Sequence, residues 1–362
     1  MAKHNQSGVD IDLGNLCSQI AYGWAKRTFT NRPPGTGNPL MTQDGGFSNI
    51  MDFQGIKIGI SSDGIGTKIE LAERTGIYDT LGFDLMAMVA DDLVANGIET
   101  VNLSNILDVD YLDSEIVDQL MKGLYEAAGH ARVTVTGGEI AELGSRISGY
   151  GERMHFNWCA TGIGILPPGS SIIDGRTIQS GDPILALKSR GFRSNGFSLV
   201  RHIMQKYLGA EWHNAPFEGD QSWGKVLLTP SLIYTPLIVS LLKEKMDLRG
   251  IAHITGGGIP DNLARVLKAR KLGSYLDNLF EPLPAMLKIQ HMDQISEEQA
   301  YRLWNMGNGM VLVVNPDQKK AILEMITDQG FHAQECGRVI NIPEIVIDSK
   351  GAQPQQLITR YE

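Results

Sequence analysis

The segment Ser61-Ser62-Asp63-Gly64-Ile65-Gly66-Thr67-Lys68 brings a carboxylate, two glycines, a hydroxyl and an ammonium group within six residues. Glycine lets backbone N–H groups approach an anion closely. Asp63 can hold a divalent cation through oxygen, and Lys68 can neutralise phosphate. The same stretch also reads as a polar β-turn carrying a surface lysine. It is not a Walker A loop, because the G-x-x-x-x-G-K-[ST] spacing is absent. A second carboxylate follows in a helix expected over 79–96. At about 100° per residue, Leu81, Leu85, Met88, Val89 and Leu93 form one apolar stripe, with Asp92 near its middle and Asn96 beside it. A carboxylate on a buried face is costly unless it is paired or binds a metal. Asp92 is therefore singled out, with a buried salt bridge or cap as the other reading. Asp91 points away from the stripe and reads as a solvated neighbour.

Further along, a strand over 132–136 runs into Gly137-Gly138-Glu139-Ile140-Ala141-Glu142 and repeats the pattern of strand, glycine break and carboxylate. Arg193-Ser194-Asn195-Gly196 precedes a helix expected over 197–208, and small or basic residues before a helix N-terminus suit an anion. Ser and Asn are also ordinary N-caps. Thr255-Gly256-Gly257-Gly258 stands between a strand over 249–255 and a helix reaching 267. Three consecutive glycines are a stronger phosphate-cradle signal than one G-x-G. His253 lies inside that strand, as a satisfied core residue or a proton carrier. Met306-Gly307-Asn308-Gly309 is another glycine break.

These groups need a scaffold that alternates strands and helices. Strands are expected over 56–60, 100–106, 154–166, 182–188, 310–314 and 332–340. Helices are expected over 16–26, 113–130, 230–246, 297–305 and 317–329, with 32–39 as loop. Pro167-Pro168-Gly169-Ser170-Ser171 marks a domain boundary. The organisation is α/β in two halves, 1–166 and 167–345, with a peripheral tail over 346–362. The two acidic strand-end loops, at Asp63 and Glu139, are expected to converge at one sheet edge, where α/β proteins bind ligands.

The 362 residues suit two domains. A net charge of −9 argues against broad binding to nucleic acid or anionic membrane. Cys17, Cys159 and Cys336 are too widely spaced for a disulfide framework or a CxxC metal site. With no apolar leader or membrane-spanning stretch, a cytoplasmic location is expected.

Seven ordered segments carry a resemblance: 8–15 (GVDIDLGN), 61–68 (SSDGIGTK), 82–93 (GFDLMAMVADDL), 137–142 (GGEIAE), 194–201 (SNGFSLVR), 251–258 (IAHITGGG) and 305–310 (NMGNGM). Together they resemble the aminoimidazole ribonucleotide (AIR) synthetase family, the phosphoribosylformylglycinamidine cyclo-ligases, over roughly residues 8–340. The resemblance implies two AIR-synthetase-like α/β domains, the first pairing with its copy into a β-barrel of a homodimer. It implies ATP and Mg²⁺, and a reaction in which ATP phosphorylates the formyl oxygen of formylglycinamidine ribonucleotide. A nitrogen of the substrate then closes the imidazole ring as phosphate leaves.

Residue by residue, the resemblance makes Asp63 and Asp92 the metal and triphosphate carboxylates. Gly64, Gly66, Thr67 and Lys68 become nucleotide contacts, Lys68 with a catalytic role. Glu139, with Gly137 and Gly138, becomes a catalytic, metal or substrate contact. Gly8, Asp10 and Asp12 fall on an arm that closes over the nucleotide. Arg193, Ser194, Asn195, Thr255, Gly256 and Gly257 become substrate-side anion contacts, and His253 a catalytic proton carrier. The chain departs from the family pattern at Arg193, where histidine is usual, and at Asp91, where asparagine is usual. It also departs in Asn102–Asp108 and in the glycine-rich stretch 35–46. Those departures bear on substrate identity. A related ATP-using enzyme with another small substrate and a non-catalytic nucleotide-binding relative are the alternatives.

Overall fold

The computed structural model describes residues 11–40 and 46–361. Strands β1 (Asn38–Pro39), β2 (Asn49–Phe53), β3 (Ile56–Gly64), β4 (Glu99–Val109), β5 (Thr134–Glu142) and β6 (Phe156–Ile165) form a six-stranded sheet in the order β1-β2-β3-β6-β4-β5. Only the β4–β5 pair in it is parallel. The next strand is β7 (Pro183–Lys188), and β8 (Pro216–Glu218) and β9 (Gln221–Ser222) make a separate ribbon. Then come β10 (Leu248–His253), β11 (Gly273–Leu276), β12 (Asn308–Val314), β13 (Ala333–Ile340), β14 (Glu344–Asp348) and β15 (Gln356–Arg360). With β7 they build a seven-stranded sheet in the order β10-β12-β7-β13-β11-β14-β15.

Helices α1 (Ile11–Lys26), α2 (Ile69–Thr75), α3 (Leu81–Ala95) and α4 (Ser114–Ala131) belong to the first half. The second half has α5 (Phe197–Leu208), α6 (Trp223–Leu227), α7 (Thr235–Lys243), α8 (Gly258–Leu267), α9 (Pro284–Met292), α10 (Glu297–Leu303) and α11 (Lys319–Asp328). Local chemistry sets their ends. Asp113 caps α4 by accepting from Glu115 N at 3.0 Å and Ile116 N at 3.3 Å.

The period-two alternation of β6 turns Phe156, Trp158, Ala160 and Gly162 toward the helices and Asn157, Ile163 and Ile165 away. The outward face stays apolar: Ile56, Ile106, Ile163 and Ile165 are 64%, 51%, 40% and 39% exposed. Helix α3 lies between the inner face and the second half of the chain and is buried almost all round. Glycines permit that closeness. A Cβ on Gly162 would stand 2.5 Å from Val89 Cγ1, and one on Gly82 would stand 2.2 Å from the backbone nitrogen of Leu124 in α4.

Two expectations need correction. Strand β5 does not end at Thr136 but continues through Gly137–Glu142, because its backbone pairs with β4 as far as Val109–Glu142. The tail expected to be peripheral over 346–362 is part of the second sheet. It completes β14, parallel to β11, and supplies β15, antiparallel to β14.

Candidate active site

Residues two apart on a strand share a face, so β3 presents Ser61 and Asp63 together beneath α3, which supplies Asp92. Asp63 Oδ1 accepts from the Gly64 backbone N–H at 2.7 Å. Burial pushes the Asp63 carboxyl up to about 6, with the Gly64 N–H opposing and the Asp92 charge adding. Burial also pushes the Asp92 carboxyl up to about 7, against the pull of Arg265, Arg193 and a Ser61 hydrogen bond. The Asp92 side chain keeps 18% of its surface open. Two adjacent carboxylates that both resist ionisation form a site that a divalent cation would relieve.

His253, at the end of β10, is wholly buried. Its Nδ1 lies 2.7 Å from Asp92 Oδ1 and its Nε2 lies 2.8 Å from Arg193 Nη2. Burial, and then the Arg193 charge, hold the imidazole down at about 3. With both ring nitrogens engaged and no exposed surface, His253 does not fit the proton-carrier role expected of it.

Arg193 is not an open anion contact either, being 1% exposed. Its Nη2 donates to Asp91 Oδ2 at 2.8 Å and its Nη1 to the Leu232 carbonyl at 3.0 Å. Asp91 is correspondingly not a solvated neighbour. Its Oδ1 accepts from Tyr234 N, Thr235 N and Thr235 Oγ1, each at 2.9 Å. Asp91 does point away from the apolar stripe of α3, but toward the second half of the chain instead of water. Two helical turns earlier, Asp84 does the same and accepts from Ser231 N at 3.1 Å.

Lys68 is not an open phosphate contact either. Its Nζ sits 2.7 Å from Asp84 Oδ2, with neither side chain exposed, and donates to the Thr229 carbonyl at 2.8 Å. Burial pulls its ammonium group down and pushes the Asp84 carboxyl up, each opposed by the partner's charge. Lys68 therefore locks the turn after β3 onto the second half of the chain and is withdrawn from any phosphate.

Three predicted loops do meet. Thr67 Oγ1 lies 3.3 Å from Ser198 Oγ at the start of α5. Asn195 Oδ1 lies 3.9 Å from the position a Cβ on Gly256 would take. Ser194 Oγ and Asn195 Nδ2 are buried without a hydrogen-bond partner, as polar groups waiting for a ligand would be. Asn262 Nδ2 gathers the carbonyls of Thr255, Gly256 and Gly258 at 3.4, 3.2 and 2.8 Å. Gly64 and Gly66 flank the turn, whereas the Met306–Gly309 break is buried packing: Gly307 O accepts from Ser189 N at 2.8 Å.

Glu139 does not join Asp63 and Asp92. It pairs with Ile106, which pairs with Cys159, which pairs with Gly64. It thus stands three strand spacings from β3, about 14 Å, on the sheet face opposite Asp63. Gly137 and Gly138 share its exposed edge strand. Gly8 and Asp10 lie outside the described residues, and Asp12 falls in α1. Sequence reading missed Ser61, Asp84 and Arg265. Ser61 was legible as the same-face neighbour of Asp63, whereas Asp84 and Arg265 depend on the packing of the two halves.

Among the described residues no group of three or more His, Cys, Asp or Glu side chains could hold a metal by itself. Mg²⁺ is commonly bound by one or two carboxylates together with phosphate oxygens. The Asp63–Asp92 pair fits a cation that arrives with a nucleotide.

Two family models cover most of the chain. The AIR synthase related protein N-terminal domain matches residues 47–164, and the C-terminal domain matches residues 179–350. The chain belongs to the AIR synthase related family. It is 32% identical over 352 residues to the phosphoribosylformylglycinamidine cyclo-ligase of Thermococcus kodakarensis, covering 97% of this chain and 99% of that one. The cyclo-ligase of Gloeothece citriformis is 33% identical, with 93% and 96% covered. The fold is also that of the hydrogenase maturation protein HypE in complex with ATP, at a TM-score of 0.58 and 16% identity over 84% of this chain and 85% of that one. Thiamine-monophosphate kinase from Stenotrophomonas maltophilia K279a gives a TM-score of 0.60 at 14% identity, with 90% and 95% covered.

Proposed function

We propose that this member of the family is an ATP-dependent cyclo-ligase that converts formylglycinamidine ribonucleotide to aminoimidazole ribonucleotide, ADP and phosphate in purine biosynthesis. The observation that carries the reading is the pair of buried carboxylates Asp63 and Asp92, one at the end of β3 and the other on α3 against His253 of the second half, both held up by burial. Full-length similarity to cyclo-ligases supports it.

Asp63 and Asp92 would hold Mg²⁺, and the cation would supply charge neutralisation to the phosphate oxygens. Gly64, Gly66 and Thr67 border the nucleotide. Ser194, Asn195 and the Thr255–Gly257 loop bind the substrate's anionic end with donors that otherwise lack partners. The γ-phosphoryl group passes to the formyl oxygen and ADP leaves. The substrate nitrogen then attacks the formyl carbon and gives up its proton to solvent, the C–O bond breaks, and phosphate departs with the former formyl oxygen. The carboxylates and loops contribute position and charge; no chain nucleophile is required.

The different-substrate alternative loses one motive. Arg193 and Asp91, which depart from the family pattern, are buried against each other and do not line an anion site. The outward sheet face, with Ile56, Ile106, Ile163, Ile165 and Glu139, supports a homodimer in which two such faces close a barrel and Glu139 is supplied across the interface. We assign 1–166 as the first domain and 167–361 as the second, which takes in β14 and β15, and a cytoplasmic location. No helix among the described residues is long and apolar enough to cross a membrane.

The test supplies ATP, Mg²⁺ and formylglycinamidine ribonucleotide to the purified chain and measures phosphate and aminoimidazole together. Stoichiometric formation of both supports the proposal. Phosphate released only with another small substrate contradicts it.

A further inference from the structure

The contacts of His253 fix its tautomer. A guanidinium carries only N–H donors and stays protonated in proteins. Arg193 Nη2, 2.8 Å from His253 Nε2, therefore donates, and Nε2 must be the unprotonated nitrogen. The ring proton sits on Nδ1, 2.7 Å from Asp92 Oδ1, and is donated to that carboxylate.

Arg193 is itself over-determined. Its backbone has φ +60°, an uncommon conformation for a side chain of this size. Asp91 and the Leu232 carbonyl hold its guanidinium, and its charge lies over the Tyr234 ring at 5.1 Å from the centroid. Asp91 is anchored by the backbone N–H groups of Tyr234 and Thr235. The path runs from α3 to the second half of the chain and back to α3 one residue later.

We infer that Asp91, Arg193 and His253 form a positioning relay that locks His253 as the Nδ1–H tautomer and thereby aims the Asp92 carboxylate. The imidazole N–H holds Asp92 Oδ1 and Ser61 also hydrogen-bonds the carboxylate, whose remaining open surface is left for a ligand beside Asp63. Arg193 and His253 are positioning residues that act through Asp92. Because the relay crosses between the halves, the orientation of Asp92 depends on how they dock. The consequence for metal binding rests on the proposed role of Asp92; the tautomer does not.

The experiment is nitrogen-15 NMR of histidine-labelled protein, with the His253 signals among the eight histidines assigned by loss in His253→Gln. The wild type should show a pyrrole-type Nδ1 and a pyridine-type Nε2. An Nε2–H tautomer or an imidazolium near neutral pH overturns the relay. Arg193→Met should release Nε2 and mix the tautomers, whereas Arg193→Lys, which keeps a cationic donor, should restore the wild-type pattern at least in part. Mn²⁺·ADP affinity, read by electron paramagnetic resonance, should fall about 10–100-fold in folded Arg193→Met. An unchanged tautomer or affinity in that variant contradicts the relay. If Arg193→Met does not fold, the wild-type and Arg193→Lys spectra still decide. Unaltered affinity in Asp92→Asn would instead overturn the metal role of Asp92, with the tautomer result unaffected.

Discussion

Asp91 and Arg193 meet at 2.8 Å with side chains 0% and 1% exposed, joining α3 to the loop before α5. Removing one partner of such a pair leaves a buried charge uncompensated. Asp91→Ala and Arg193→Met should each destabilise the chain by about 3–5 kcal/mol. The double variant should lose less than the sum, because the members of a contact pair are coupled. Urea denaturation of the four proteins measures the coupling; strict additivity would show that the pair does not act as a unit.

Lys68 makes the analogous contact with Asp84. Lys68→Met should cost about 3–5 kcal/mol by stranding Asp84. In whatever fraction stays folded, the KM for ATP should be close to wild type. A large rise in that KM with unchanged stability would return Lys68 to the phosphate site.

Asp92 gives a pH-dependent prediction. Its carboxyl titrates near about 7 in the folded chain and near about 3.9 in an unfolded one. Between those values the folded state binds the extra proton. Stability therefore gains as pH falls from about 7 toward about 4, and the penalty is complete above about 7. Asp92→Asn removes the charge and keeps an acceptor for the His253 Nδ1–H. Without metal, the variant should melt at or above wild type near about pH 8, with the difference shrinking toward about pH 4. Calorimetry across that range tests the sign, and a wild-type advantage that grows with pH contradicts it. Turnover with Mg²⁺·ATP should be lost in the same variant.

The apolar outer face of the first sheet gives a fourth prediction. Ile106→Lys and Ile163→Lys replace side chains that are 51% and 40% exposed in the single chain, so neither should disturb the monomer's core. Sedimentation should show wild-type dimers and variant monomers. Variants that remain dimeric would place the interface elsewhere.

Much of this architecture is legible in the sequence because the relevant signals are local. Helix α5 starts at Phe197 and ends at Leu208, as its glycine and polar boundaries require, and β6 follows the alternation of 154–166. Asp63 and Asp92 are legible as a charge before a glycine break and a charge on an apolar stripe. The failures share a physical cause. A helical wheel gives the direction of Asp91 and Asp84 correctly, yet it cannot show that α3 is covered on that side as well. Lys68 and Arg193 look like phosphate ligands because their partners lie 16 and 102 residues away in the chain. Glu139 shares the glycine-and-carboxylate pattern of Asp63, but its register carries it to the other face of the sheet. Strand β14 carries a β-branched run, Ile345-Val346-Ile347, but its partner β11 lies far away in the chain, and β15 is held by β14 alone.

In the proposed reaction ATP activates the formyl oxygen, and this oxygen leaves as phosphate when the ring closes. The most direct measurement uses formylglycinamidine ribonucleotide labelled with oxygen-18 in the formyl group, followed by mass spectrometry of the released phosphate. One labelled oxygen is expected in each phosphate, formed together with aminoimidazole ribonucleotide. Unlabelled phosphate, or ATP cleavage without ring closure, would contradict it.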